Sequence, residues 1–140
     1  MVAGYCYDWN VKHHRGEWDI IIGDNFTARW NLENDKVWAI NPDSFEEVGC
    51  IHTAQGLEFD YVGVIIGKDL MFNPITSLIE THREYISKDD KSSGIRTAPQ
   101  SRAHQLILNT YKTLLTRGQK GCYIYCEDKE LRDYIKSKCN

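Results

Sequence analysis

The segment of residues 52–60 combines residue types that bind charged ligands. It reads His-Thr-Ala-Gln-Gly-Leu-Glu-Phe-Asp, and it follows an apolar run that is typical of a buried strand. Gly56 lets the backbone approach a ligand closely, and polar side chains flank it. Because ligands of open α/β sheets bind beyond the carboxyl ends of the strands, this position favours a binding loop. A plain turn at Gly56 with Glu58 in solvent explains the same residues equally well, so both interpretations stay open.

A second segment, residues 111–121, places Arg117 at the end of an amphipathic helix and just before an apolar strand. Cations are favoured at helix C-termini because the helix dipole is negative there. From the residues alone, this structural role for Arg117 is stronger than a functional one.

The sequence contains no recognisable phosphate cradle. The pattern G-x-x-x-x-G-K-[ST] does not occur, because Gly67-Lys68 is followed by Asp69 and the residue five positions before Gly67 is Val62. The dinucleotide pattern G-x-G-x-x-G is also missing. These 140 residues are therefore not expected to bind a nucleotide by themselves.

Metal and disulfide chemistry are not expected either. His13 and His14 are near Cys6 in sequence, but nothing has the spacing of zinc ligands, and we predict no metal site. The cysteines are odd in number and include no C-x-x-C pair, which indicates buried free thiols inside apolar strands in a reducing compartment. They are Cys6, Cys50, Cys122, Cys126 and Cys139.

The first twenty residues are rich in aromatic side chains that could stack on nucleobases: Tyr5, Tyr7, Trp9 and Trp18. Packing in the core or at its edge explains them at least as well.

Composition indicates one cytoplasmic globular domain. The chain has 140 residues, with 41% hydrophobic and 26% charged side chains, which argues against a disordered, collagenous or membrane protein. No apolar run approaches the length of a membrane span, and the first residues do not resemble a signal peptide, so we expect no membrane partner. Residues 1–70 carry 5 basic and 12 acidic side chains (5 − 12 = −7), and residues 71–140 carry 12 and 8 (12 − 8 = +4). Anionic partners should favour the second half.

The elements that must position these segments follow from the apolar pattern. Continuous apolar runs at residues 47–51 and 61–66 predict strands buried in a parallel sheet, and residues 121–126 predict another buried strand. Apolar positions recur at helical spacing across residues 102–117, and Asp128 is a plausible N-cap for a final helix. This order predicts an α/β domain of three layers.

Shorter features complete this prediction. Residues 2–7 predict a first strand, and short β-rich pieces across residues 18–40 predict a small antiparallel excursion that includes residues 37–40. Residues 71–81 predict a hairpin. Residues 87–101 are polar and serine-rich, and we expect them to form a mobile loop.

Residues 52–60 and 111–121 together resemble motifs V and VI of superfamily 1 helicases. Motif V has the form T-x-H-x-x-[KQ]-G-L-E-F-D followed by a hydrophobic strand, and this sequence departs from it at Cys50, where threonine is usual. Motif VI has the form Y-x-x-[LM]-T-R-[AG]-x-x, and here Gly118 stands where alanine is common.

A narrower resemblance is to the C-terminal part of the Schlafen group 3-like DNA/RNA helicase domain family. Four more stretches carry it, at residues 29–32, 38–42, 45–51 and 109–111. Together the resemblance covers most of residues 1–66 and 102–138.

This resemblance implies that residues 1–140 are the second RecA-like lobe, of the P-loop NTPase type, with a mainly parallel sheet and a small antiparallel β insertion. It implies a larger parent polypeptide whose N-terminal RecA-like lobe, missing here, carries the phosphate-binding loop and the acidic magnesium-binding motif. ATP and Mg²⁺ would bind to the intact parent and not to this fragment. The implied partners are the missing lobe and single-stranded DNA or RNA.

The resemblance also implies roles for individual residues. Arg117 would be the arginine finger that stabilises charge on the γ-phosphate, and Gly56 and Glu58 would join it in binding the nucleotide. The residues that would couple nucleotide state to the nucleic-acid strand are His52, Thr53 and Gln55.

Two functional hypotheses remain. The first is the C-terminal motor lobe of an ATP-dependent helicase or translocase, whose isolated 140 residues hydrolyse no ATP. The second is a non-catalytic module that keeps a helicase-like lobe and binds nucleic acid or protein.

Overall fold

The computed structural model describes residues 1–10, 16–31, 38–91 and 93–139, and it has a mixed α/β architecture. In chain order its strands and α-helices are β1 (Val2–Ala3), β2 (Ile20–Ile22), β3 (Phe26–Trp30), β4 (Glu47–Val48), α1 (Ile51–Ala54), β5 (Phe59–Ile66), β6 (Leu70–Asn73), β7 (Leu78–Thr81), α2 (Gln100–Leu115), β8 (Gly118–Cys126) and α3 (Lys129–Lys138). Short 3-10 helices lie at Trp38–Ile40, Pro42–Glu46 and Arg83–Tyr85.

A parallel sheet with the strand order β1-β5-β8 forms the centre of the fold, as the apolar runs at residues 61–66 and 121–126 predict. Val64 is the register partner of Val2 on one side and of Ile124 on the other. Val62, Val64 and Ile66 of β5 are buried, which is typical of the central strand of a parallel sheet. The second half of β5 therefore lies inside the hydrophobic core.

A smaller sheet with the order β2-β3-β4 extends this centre. β2 and β3 form the predicted antiparallel pair, and β4 is parallel to β3. Backbone hydrogen bonds from Ala3 N to Gly49 O (3.0 Å) and from Gly49 N to Met1 O (2.9 Å) join the two sheets. The strand predicted at residues 37–40 is wrong for Trp38–Ile40, which form a 3-10 helix; residue 37 lies outside the described residues.

The two longer helices bury the faces that the sequence predicts. α2 buries the apolar positions that recur at helical spacing, among them Ala103, Ile107 and Tyr111. Asp128 caps α3 by accepting a hydrogen bond from Leu131 N at 2.7 Å, as predicted. No helix in the described part of the chain is long and apolar enough to cross a bilayer.

The predicted hairpin is also confirmed, as the antiparallel pair β6 and β7.

Three strand predictions need correction. The strand predicted at residues 47–51 is only β4, in the smaller sheet, because Ile51 already begins α1. The first strand ends at Ala3, because the backbone from Gly4 onward leaves the sheet. β8 forms but is not a buried strand: Tyr123 is 72% exposed, and Ile124 and Tyr125 are partly exposed. The reason is strand order, because β8 pairs only with β5 and lies at the edge of the sheet.

Residues of the segment expected to be mobile make specific contacts. Ser87 N donates to Tyr5 O at 2.7 Å, and Trp9 N donates to the Asp89 carboxylate at 3.0 Å. Ile95 is buried in the core. These contacts supply anchoring that the polar composition does not predict, while the mobility of the segment stays a prediction.

The cysteines are free thiols, as predicted. Their placement differs from the prediction in part, because Cys139 is exposed after α3 and Cys6 lies beyond the end of β1. Burial, followed by the negative charge of Asp69, raises the pKa of the Cys6 thiol well above its ordinary value, so this thiol stays protonated at neutral pH.

A buried polar joint holds α2 against the carboxyl ends of β1 and β5. The Tyr111 hydroxyl donates to the Asp69 carboxylate at 2.6 Å and accepts from Gly67 N at 3.3 Å. A Cβ at Gly4 would lie 2.6 Å from the same hydroxyl oxygen, so only glycine allows this approach. Desolvation raises the pKa of Asp69 to about 6, although the hydrogen bond from Tyr111 opposes that rise.

The change Asp69→Asn should remove a pH-dependent loss of stability. The folded-state pKa of about 6 exceeds the ordinary 3.8, so the protonated carboxyl contributes stability below about pH 4 that is lost as the pH rises through 6. This shift corresponds to about 3 kcal/mol in the free energy of unfolding. The asparagine amide cannot ionise and still offers an oxygen to Tyr111. The variant should therefore exceed the wild type in stability at about pH 7.5, as measured by urea unfolding across this range.

The exposed Asp24 provides the control, because Asp24→Asn should leave the pH profile unchanged. If the stability of Asp69→Asn and of the wild type changed with pH in parallel, ionisation of Asp69 would not destabilise the folded protein.

Candidate functional site

The segment 52–60 folds as a short helix followed by a turn into β5. α1 contains His52 and Thr53, and Leu57 N donates to Ala54 O at 3.2 Å after the helix ends. Gly56 has a φ of +78°, a left-handed conformation in which a Cβ is strained. The glycine is therefore required by the turn, and nothing lies within 4 Å of the position a Cβ would take.

The polar side chains of this segment face different surroundings. His52 and Gln55 are exposed, and Thr53 is half-buried with its hydroxyl 3.3 Å from the Cys50 thiol. The His52 ring lies 5.6 Å from the Tyr5 ring, between centroids. Thus α1 presents a mostly open polar surface, one side of which rests on the aromatic core.

The aromatic residues of the N-terminal region pack into that core. Tyr5 and Trp9 are buried, and the Trp9 ring stacks on Trp30 with centroids 4.6 Å apart. Base stacking is excluded for Tyr5 and Trp9 in this conformation because their faces are covered. Arg29 covers the half-buried ring of Trp18, with its guanidinium carbon 4.8 Å from the ring centroid.

Arg117 lies where the two predicted motifs meet. Its Nε donates to Thr113 O in the last turn of α2 at 3.1 Å, and its Nη1 donates to Leu57 O at 3.3 Å. Its own carbonyl accepts from Phe59 N at 2.9 Å. The contact expected of a cation at a helix C-terminus is therefore present, and a second contact ties the guanidinium to the loop after α1.

Arg117 keeps donors that these contacts do not use. A guanidinium has five N–H donors in a planar fork, and Nη2 makes no hydrogen bond to any of the described residues. The two carbonyl contacts limit the rotation of the side chain. The result is a half-buried cation whose position is fixed before any anion arrives.

Two further side chains complete this corner and were missed by the sequence reasoning. Gln119 Nε2 donates to Glu58 Oε2 at 2.6 Å, and Lys120 Nζ lies 2.7 Å from the Asp60 carboxylate. These contacts form because Phe59 is the register partner of Gly118. The signal was the pair of polar residues that follow Arg117 and Gly118 in the sequence, but their partners depend on strand register.

The structure thus brings together only part of the predicted set. Arg117 contacts the backbone at Leu57, and Glu58 lies beside it on the same turn. His52 and Thr53 lie on α1, before the turn whose Leu57 carbonyl accepts from Arg117.

The described residues offer neither a cluster of metal ligands nor a cleft suited to phosphate. Among the described residues, no three histidine, cysteine or acidic side chains lie close enough together to hold a metal ion. His13 and His14 lie outside the described residues. A cleft of about 510 Å³ beside β5 is lined mainly by apolar side chains such as Trp38, Phe45 and Tyr61, which do not suit a phosphate.

Comparison with known proteins gives the family. A family model described as "Schlafen group 3, DNA/RNA helicase domain" matches residues 1–128. The chain belongs to this family. The Schlafen group 3 chain is also 31% identical, over 137 residues, to a Saccharomyces cerevisiae protein named "Uncharacterized protein YPL245W". The match covers 92% of the chain and 30% of the yeast protein. No solved structure matches the chain.

The change Gly56→Ala in the Schlafen group 3 chain should lower the free energy of unfolding by about 1–2 kcal/mol, because a left-handed backbone strains the added Cβ. Gly56→Asn is the matched comparison, since asparagine tolerates this conformation and should lose less. Urea unfolding of the three proteins measures the difference. Equal stability of all three would contradict the left-handed turn.

Proposed function

We propose that this chain is the C-terminal motor lobe of an ATP-dependent superfamily 1 DNA/RNA helicase or translocase. The observation that carries the proposal is the hydrogen bond from Arg117 to Leu57 O, which joins the segments that resemble motifs V and VI. Membership of a helicase-domain family supports it. The chain spans 30% of the yeast relative, so the proposal concerns a longer parent with a RecA-like three-layer lobe of this type.

In the parent, Arg117 would act on the γ-phosphate of an ATP bound by the missing N-terminal lobe. The unused donors of its guanidinium fit two phosphate oxygens, and its fixed position lowers the cost of reaching the transition state. Glu58, held by Gln119, and the open turn at Gly56 would lie beside the nucleotide. Mg²⁺ would be held by the missing lobe, because the described residues offer it no cluster of ligands.

The exposed surface of α1 would contact single-stranded DNA or RNA. His52 and Gln55 are exposed there, and Thr53 lies at its edge. Hydroxyl, imidazole and amide groups of this kind bind phosphates and sugars without reading sequence. We place this motor in the cytoplasm, a compartment that keeps the free thiols reduced.

The second candidate is a non-catalytic nucleic-acid or protein-binding module. It is favoured by the two carbonyl contacts of Arg117, which give this residue a structural role without any nucleotide. The two candidates predict different effects of replacing Arg117 on the rate of ATP turnover.

The change Arg117→Ala in the intact parent should reduce ATP turnover by about 10³ to 10⁵ and largely spare ATP binding, because the finger acts on the transition state. Arg117→Lys should not rescue turnover, because a point charge lacks the guanidinium fork. Steady-state hydrolysis and nucleotide titration measure the two effects.

Because Arg117 also supports the fold, its variants must be compared at equal stability. Lys112→Ala removes an exposed cation from the same helix and should keep normal turnover. Near-normal turnover of Arg117→Ala would favour the non-catalytic module and leave Arg117 as a helix-terminal cation.

Changing Thr53 or His52 to alanine in the parent should weaken the stimulation of ATP hydrolysis by nucleic acid more than basal hydrolysis. The reason is that these side chains would contact the nucleic-acid strand and not the phosphates of ATP. Hydrolysis rates with and without single-stranded nucleic acid provide the measurement. An equal loss of both rates would indicate a folding defect and contradict the coupling role.

A further inference from the structure

Among the described residues, β8 has the longest strand edge that no other strand pairs with. β8 runs from Gly118 to Cys126 and pairs only with β5. On the far side of β5 the sheet continues through β1, which is hydrogen-bonded to Gly49 beside β4. An uncovered edge presents N–H and C=O groups that can pair with another strand.

This edge lacks the features that usually prevent pairing between molecules. Soluble proteins protect exposed strand edges with lysine, proline or a bulge. Residues 121–126 contain no charged side chain and no proline. Lys120, just before them, lies 2.7 Å from the Asp60 carboxylate on β5, so its charge is offset within the sheet. The edge is therefore unprotected from Gly121 to Cys126.

The same part of β8 is regular and exposed. The register between β5 and β8 shifts between Phe59 and Tyr61, and from Gly121 onward the partners follow one another without a break. Tyr123 is 72% exposed, and Tyr125 is 38% exposed. Strands of roughly five to six residues are typical of globular proteins, so this segment is long enough to form a further strand pair.

One face of this edge consists of tyrosines and glycines. Tyr61 is the register partner of Gly121, and Tyr123 is the register partner of Gly63. The Tyr61 and Tyr123 rings lie 6.3 Å apart, between centroids. Because side chains alternate along a strand, Tyr125 lies on this face too. The face can therefore extend across a new strand that brings further aromatic rings.

An antiparallel second copy of the segment fits this edge. With a two-fold axis at Tyr123, the two Tyr123 side chains lie opposite each other, and Tyr125 of each copy lies opposite Gly121 of the other. Opposite residues of an antiparallel pair have Cβ atoms about 4.5–5.5 Å apart, and aromatic pairs at this spacing stabilise the sheet. Lys120 lies opposite Cys126 of the second copy in this register, so no like charges meet.

We propose that this chain associates with a second copy of itself by antiparallel pairing of the two β8 edges, centred on Tyr123. The same surface is used by both copies, so the contact closes after two copies and gives a dimer. A single strand edge buries little area, and the dimer should therefore be weak and depend on concentration. The association requires no ATP and does not depend on the proposed motor function.

The first test is Tyr123→Lys in the intact parent, followed by sedimentation velocity over a series of concentrations. The wild type should be a dimer at high concentration. Tyr123→Lys should raise the dissociation constant roughly tenfold or more, because it places two like charges opposite each other at the centre of the interface. Tyr123→Phe is the matched control and should dimerise like the wild type, because it keeps the ring.

The second test measures proximity and uses Tyr123→Cys in the intact parent. Mild oxidation should link two copies through position 123, because opposite residues of an antiparallel pair lie close to disulfide distance. Peptide mapping identifies the linked position. Ile75→Cys is the control for chance collisions, because Ile75 is 93% exposed on the β6–β7 turn and should not become linked.

Three results would overturn the proposal. The first is a wild-type parent that stays monomeric at every concentration, as when another segment of the parent covers the edge of β8. The second is a dimer that Tyr123→Lys leaves intact. The third is linkage through Ile75→Cys as efficient as through Tyr123→Cys. If Tyr123→Lys fails to fold, the linkage through Tyr123→Cys decides the question.

Discussion

The parallel pairing of β5 with β8 is the interaction on which the rest of the structure depends. It runs from Phe59–Gly118 to Ile66–Cys126 and spans the whole of β5. At its start it brings the turn after α1 against Arg117, and at its end it delivers the chain to Gly67 and the buried joint with Tyr111. A shift in this register would move Arg117 along β5 and away from the Leu57 carbonyl, because Arg117 directly precedes β8.

Arg117 has a structural role that is compatible with the chemical role proposed for it. Its contacts bring donors to the Thr113 carbonyl at a helix end, which also accepts from Thr116 Oγ1 at 3.0 Å, and to the Leu57 carbonyl in a turn. The same contacts fix the guanidinium, and a fixed donor needs no reorganisation when charge develops near it. The helix-dipole interpretation and the arginine-finger interpretation are therefore compatible, and the first supplies the rigidity that the second requires.

A buried polar group closes the sheet at the carboxyl ends of β1 and β5, and it lowers the stability of the fold near neutral pH. Asp69 is 2% exposed and hydrogen-bonded to Tyr111, and desolvation raises its pKa to about 6. Near neutral pH the buried carboxylate opposes folding, while its hydrogen bond directs Tyr111 toward Gly4 and Gly67. We infer that the contact between Tyr111 and Asp69 fixes how α2 crosses the strand ends. It thereby fixes the position of the last turn of α2, which precedes Arg117.

The sequence by itself determined the strand β5, the faces of α2 and α3, the Asp128 cap and the β6–β7 hairpin. Each of these depends on local periodicity or on a side chain bonding to its own neighbours. It also indicated the family, through the stretches at residues 29–32, 38–42, 45–51 and 109–111. Only the tertiary structure decided that Gln119 holds Glu58, that Tyr123 is exposed and that Asp69 is buried. These features depend on strand order, on register and on contacts between residues up to 61 positions apart, about which a local pattern carries no information.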